Sequence, residues 1–152
     1  MSKAKAPAAA DAKASASVRD VARRFIHVWS AGHLDLLDEL AAEDIVVVYP
    51  HVRELVLDRD AFRGMLSRTF ESFPDLTITA EEPIVEGERA VVRWFYEGTH
   101  RQGDVLGAEA TGRRVRVDGI TLYRIRDGRV VEETGLVDNL ALVRQLRVPA
   151  AD

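Results

Sequence analysis

Arg113-Arg-Val-Arg-Val-Asp-Gly-Ile-Thr-Leu-Tyr-Arg-Ile-Arg126, then Asp127-Gly128, then Arg129-Val-Val-Glu-Glu-Thr-Gly-Leu-Val137-Asp138 is the stretch whose reading decides the fold. Asp-Gly between two runs rich in β-branched residues signals a two-residue type I′ hairpin, because both central residues must take positive φ. Pairing outward from that turn sets Ile125 opposite Val130, Tyr123 opposite Glu132, Thr121 opposite Thr134, Gly119 opposite Leu136 and Val117 opposite Asp138. Asp138 then shares a face with mostly apolar residues. Desolvation there disfavours the ionised form and raises the carboxyl pKa, which suits a group that gives or takes a proton near neutral pH. The competing reading makes Asp138 the N-cap of a short helix over Leu140 to Leu146. The other face of the hairpin carries Arg114, Arg116, Asp118, Arg124, Arg129 and Glu133 together with Ile120, Leu122, Val131 and Val137. A solvated sheet face rarely exposes such an apolar set, so a homodimer is expected, with Arg114, Arg116 and Arg124 meeting acids such as Glu133 or Asp118 across the interface.

The remainder of the chain fits one domain. Its 152 residues are 47% hydrophobic, enough for a sizeable core without staples. Cysteine is absent, which removes disulfides, thiol nucleophiles and Cys-rich zinc sites. A net charge of -4 and a pI near 5.6, with both signs interspersed, argue against nucleic-acid binding and for a small-molecule partner. Residues 1–17 are rich in Ala, Lys, Ser and Pro without the apolar run of a signal peptide, and read as a disordered tail on a cytoplasmic protein. No apolar segment is long enough to cross a bilayer, so no membrane contact is expected.

Ser17 and Asp20 form a variant capping box ahead of Val18, Val21, Ala22, Phe25, Val28 and Trp29 at helical spacing. Gly32 breaks that helix, and Leu34, Leu37, Leu40 and Ala41 mark a second over His33 to Ala42. A strand over Ile45 to Tyr49 ends at Pro50. Asp58 caps a third helix with the stripe Phe62, Met65, Leu66, Thr69, Phe70 and Phe73, stopped by Pro74. Strands Leu76 to Glu82 and Ala90 to Thr99 precede the hairpin. Helices first and antiparallel strands later predict an α+β fold over 18–147: a cone-shaped barrel of curved, mainly antiparallel sheet wrapped around three N-terminal helices, with 148–152 as a flexible tail.

Such a cone leaves a cavity open at one end. The residues expected to line it are Trp29, Tyr49, His51, Phe62, Trp94, Tyr96, Tyr123 and Asp138, although residues such as Trp29, Phe62 and Trp94 are more often core packing than ligand platform. None of the four histidines has the His-Glu-x-x-His spacing of a helical zinc site, and there is no glycine-rich dinucleotide fingerprint. No metal, flavin or nicotinamide is therefore expected.

The element order, together with Phe73-Pro74-Asp75-Leu76, Gly98-Thr99-His100, Ala110-Thr111-Gly112-Arg113-Arg114, Asp127-Gly128-Arg129-Val130 and Val137-Asp138, resembles the SnoaL-like polyketide cyclases of the nuclear-transport-factor-like superfamily. The resemblance spans about Val18 to Leu146. It implies that Asp138, at the end of the last strand, is the general acid/base of an intramolecular aldol closure, and it places His100 where members often carry histidine. A more distant similarity to limonene epoxide hydrolases, which use an Asp-Arg-Asp arrangement with tyrosine and asparagine positioning a water, sets the first Asp on Asp104 and the Tyr-x-Asn pair near Tyr49-Pro50-His51. The arginine of that arrangement falls on Gln102. Thr134 stands where the family often has tryptophan, which implies a differently shaped substrate.

Three functions follow as expectations. The first is a cofactor-independent acid/base cyclase or isomerase acting on a hydrophobic polyketide-like or polyether-like molecule, in which Asp138 moves the proton and His51, Tyr49 or His100 polarises an oxygen. The second is an epoxide hydrolase in which Asp138 or Asp104 activates water. The third is a non-catalytic small-molecule-binding module, since this fold hosts many functions.

Overall fold

In a computed structural model the chain is described over residues 9–50 and 56–147. The first helix, α1, runs Ala9–Phe25 and continues as a 3₁₀ turn over Ile26–Trp29. It begins well before the expected cap at Ser17, so part of the expected tail is helical. The alanine-rich run Ala9-Ala10-Asp11-Ala12-Lys13-Ala14-Ser15-Ala16 explains this, alanine having the highest helix propensity. A short α2 (Asp35–Leu40) leads directly into β1 (Ala41–Val48), and β2 (Val56–Leu57) follows. Asp58 caps α3 (Arg59–Ser72) as expected, its carboxylate accepting from Ala61 N at 2.8 Å. No described helix is long and apolar enough to cross a membrane.

The strands β3 (Thr77–Ala80), β4 (Ile84–Glu86), β5 (Arg89–Thr99), β8 (Arg114–Arg126) and β9 (Arg129–Val137) complete the main sheet. Its order is β2-β1-β9-β8-β5-β3, with β4 also on β5; all neighbours are antiparallel except β1 and β9. The sheet is curved and does not close. Between β5 and β8 a separate hairpin pairs β6 (Asp104–Val105) with β7 (Ala108–Glu109), and α4 (Asn139–Arg147) ends the described chain. The inner face is an apolar core built by Val21, Phe25, Ile26, Leu37, Ile45, Val47, Phe62, Leu66, Val92 and Ile125 among others. The α+β cone is the architecture read from the sequence.

The hairpin itself holds one departure. Asp127 and Gly128 have φ of 51° and 74°, and Arg126 pairs with Arg129 and Ile125 with Val130, as the type I′ turn requires. Beyond that the register shifts by one residue: Arg124 pairs with Glu132, Tyr123 with Glu133, Thr121 with Gly135 and Gly119 with Val137. Val131 is the extra residue of a β-bulge. Because side chains alternate with period two, this single insertion exchanges the two faces of β9 from Glu132 onward. Glu133, Gly135 and Val137 turn inward; Glu132, Thr134 and Leu136 turn outward.

Candidate active site

The bulge decides which carboxylate enters the protein. Glu133, expected on the outer face, has no exposed surface. Tyr49, just past β1, donates its hydroxyl proton to Glu133 Oε1 at 2.6 Å. The indole of Trp29 is a second donor facing the carboxyl. Burial pushes Glu133 up to about 7, against the opposing pull of those two donors. Full burial, with the Glu133 charge adding to it, holds the Tyr49 phenol well above its ordinary value of 10. The carboxyl is therefore the group that titrates near neutral pH, and the phenol stays protonated on both sides of that transition.

Two glycines make the arrangement fit. Gly135 stands on the inner face two residues beyond Glu133, and a Cβ there would lie 2.3 Å from Tyr49 Cε1. At Gly119 a Cβ would lie 2.2 Å from the Trp94 ring. Both positions are vacated so that an aromatic ring can lie against the strand.

A cavity of about 400 Å³ opens beside this pair, lined by Trp29, Tyr49, Met65, Phe73, Tyr96, Val105, Leu106, Val137 and Leu142, with Arg68, Thr69, Ser72, Asp104 and Asn139 as its polar part. Its size falls in the range of small-molecule sites. Trp29 meets Tyr49 edge to face at 5.8 Å and Phe62 at 5.9 Å, so the wall is held by packed rings. Glu133 is not on the wall. Tyr49, hydrogen-bonded to it, is.

The residues singled out from the sequence divide as follows. Trp29, Tyr49, Tyr96 and Asp104 line the cavity. Phe62 is fully buried beneath Trp29 and Tyr49, and Trp94 is buried behind Tyr96, stacked at 5.8 Å, with its indole N–H on Thr121 Oγ1 at 2.8 Å. Tyr123 is fully buried in the core on the β8 side of Glu133. His100, also fully buried, stacks on Phe73 at 5.1 Å and sets Nε2 3.0 Å from Gly103 O; it lies behind the wall and anchors the loop into β6. His51 lies outside the described residues. Asp104 is exposed at the rim, accepting from Gly107 N at 2.9 Å.

Phe62, Trp94, Tyr123 and His100, expected at the cavity, are packed into the core instead, and Asp138 and Thr134 change face. The register shift removes both from the inner face. Asp138 is exposed and caps α4, accepting from Ala141 N at 2.9 Å, while Thr134 sits opposite Leu122 on the outer face. The same shift withdraws Glu133 from any outer interface and turns Val137 into the cavity wall. Glu133 itself was missed, although the sequence held a signal: in a strand of alternating faces, adjacent Glu132 and Glu133 must send one carboxylate inward.

A curved sheet over helices, with a mostly apolar cavity beside a buried carboxyl, defines a small-molecule site of the α+β cone class. The sequence pattern of the SnoaL-like polyketide cyclases matches residues 19–146, and the chain belongs to that family. Among solved structures it is similar to IdmH of Streptomyces antibioticus, provisionally named a polyketide cyclase, at 29% identity over 86% of this chain and 99% of that one (TM-score 0.75). It is also similar to TsrD of Streptomyces laurentii, at 29% identity over 87% and 96% (TM-score 0.73). A protein from Jannaschia sp. CCS1, provisionally named a SnoaL-like polyketide cyclase, shares the fold at 22% identity over 97% and 99% (TM-score 0.78). No curated protein matches the chain.

Proposed function

We propose that this protein is a cofactor-independent cyclase that closes a ring in a polyketide-like small molecule by moving one proton through Tyr49 and Glu133. The observation that carries the reading is the 2.6 Å hydrogen bond between a phenol on the cavity wall and a fully buried carboxyl behind it. In the ionised state Glu133 takes the Tyr49 proton as Tyr49 takes one from the carbon α to a substrate carbonyl, leaving an enolate. The enolate carbon attacks a second carbonyl, the new C–C bond forms, and the alkoxide oxygen receives the proton back along the same path. Atoms balance without a co-reactant, and the product is an isomer of the substrate. Concerted relay avoids a free phenolate, which burial makes costly.

The test is a 1,3-diketone small enough for the cavity, incubated in D₂O and followed by NMR. Wild-type protein should accelerate α-deuterium exchange, and Tyr49→Phe should lose that acceleration. A wild-type protein that binds the diketone without speeding exchange would instead support a binding module. An epoxide-opening reading draws on Asp104 at the rim. Asp104→Asn, which keeps the turn bond to Gly107, should leave exchange near wild type under the single-carboxyl mechanism.

The outer sheet face supports a homodimer. Val48, Thr134, Leu122, Val91 and Ile84 align in one row across five strands, with Leu136 and Ile120 beside them. Ile84, Leu122 and Leu136 are 74%, 45% and 50% exposed, more apolar surface than a solvated sheet carries. Of the arginines expected to reach across, Arg124 meets Glu132 at 3.3 Å and Arg114 meets Asp75 and Glu97 at 3.8 Å within the same chain, while Arg116 lies over the Phe95 ring. The interface proposed here is thus apolar, with those pairs at its margin.

A further inference from the structure

Among the described residues, three buried side-chain polar atoms have no hydrogen-bond partner: His100 Nδ1 and, in the core, Glu133 Oε2 and the hydroxyl of Tyr123. The last two concern the carboxyl. They belong to residues directly paired across β8 and β9, both inward and both without accessible contact to solvent. Side chains opposite one another in an antiparallel pair start about 5 Å apart at Cβ, which brings a glutamate and a tyrosine within reach. The neighbouring hydroxyl is Thr121, two residues along the same face; it lies by Tyr123 without a well-formed bond, and its oxygen already accepts the Trp94 indole N–H at 2.8 Å. Since an indole only donates, Thr121 Oγ1 is occupied as its acceptor, and the Tyr123 proton is left for the carboxyl. Buried polar groups seldom stay unmatched, and these two are matched to each other in chemistry.

We propose that Tyr123 is a positioning residue of the active carboxyl, serving Glu133 Oε2 as Tyr49 serves Oε1. Toward the carboxylate the phenol donates; toward the carboxylic acid it accepts the proton on Oε2. Its effect is to hold the carboxyl plane so that Oε1 stays on Tyr49, and to ease ionisation inside an apolar core. Among the described residues, the groups facing Glu133 are the two phenols and the Trp29 indole, and no described Arg, Lys or His contributes to its shift. Removing the Tyr123 hydroxyl therefore leaves burial less opposed, and the carboxyl should titrate higher.

This inference rests on the proposed role of Glu133, but its test needs no turnover. The infrared C=O stretch of the protonated carboxyl is followed against pH in the full chain, assigned by its absence in Glu133→Gln. Tyr123→Phe, which keeps the ring and its edge contact with Phe25 at 5.7 Å, should raise the midpoint by about 1–2 units, the worth of one hydrogen bond to a charged group. A fluorinated tyrosine at position 123, a stronger donor, should lower it, which a packing role cannot do. Unchanged midpoints in both proteins overturn the proposal. If Tyr123→Phe fails to fold, the fluorotyrosine protein decides alone, a lowered midpoint supporting and an unmoved one refuting. Failure of the cyclase reading would appear separately, as turnover that survives Glu133→Gln.

Discussion

Gly135 lies directly beneath the ring of Tyr49, so close that a methyl group at 135 would stand 2.3 Å from Cε1. The strand that supplies the buried carboxyl thus also supplies the space through which Tyr49 reaches it. Gly135→Ala should force the ring off Glu133. Overpacking of this kind costs about 1–3 kcal/mol, and proton-transfer activity should fall at least tenfold because the 2.6 Å bond is broken. Denaturation and exchange kinetics on one preparation check both.

A carboxyl raised from an ordinary 4.5 to about 7 makes stability depend on pH. The folded state binds the proton more tightly than the unfolded one, so this stabilisation is complete below pH 4.5 and is lost as pH rises through 7. The amplitude is about 3 kcal/mol. Urea unfolding at pH 5 and pH 8 should show that loss for wild type, and Glu133→Gln should show a flatter profile. Equal pH dependence in the two proteins would remove Glu133 as its source.

Asp138 behaves as a cap. Asp138→Asn should change neither stability nor activity, since Asn caps about as well, whereas Asp138→Ala should cost about 1 kcal/mol with turnover intact. Thermal unfolding beside the exchange assay separates this from a catalytic role, which would reverse the pattern.

The apolar row on the outer face predicts a dimer that Leu122→Glu and Leu136→Glu disperse. Sedimentation at micromolar concentration should give a dimer for wild type and a monomer for the double variant. A monomeric wild type contradicts the interface.

Local chemistry made most of the fold legible. The Asp58 cap, the Pro74 stop, the Asp127-Gly128 turn and the helical stripe from Val18 to Trp29 each have a mechanism that acts within a few residues. The β8 face was readable to its end, and Trp29, Tyr49 and Tyr96 were correctly brought to the cavity. Which of Glu132 and Glu133 turns inward was not readable, because the bulge at Val131 carries no local signature: Val130-Val131-Glu132-Glu133 is as good a regular strand as a bulged one. Its position depends on packing against β1 and the helices, where Val130 and Val137 are kept inside and Leu136 is left out. One residue of slip, invisible locally, put Glu133 rather than Asp138 inside the protein.

The central claim is that Glu133, acting through Tyr49, is the proton-transfer group. The most direct measurement is the rate of α-deuterium exchange into the diketone by Glu133→Gln at pH 8, with wild type and Asp138→Asn alongside. General acid/base contributions of ~10²- to 10⁴-fold set the scale. The account predicts a loss of that size for Glu133→Gln and none for Asp138→Asn; a folded Glu133→Gln protein exchanging at the wild-type rate would contradict it.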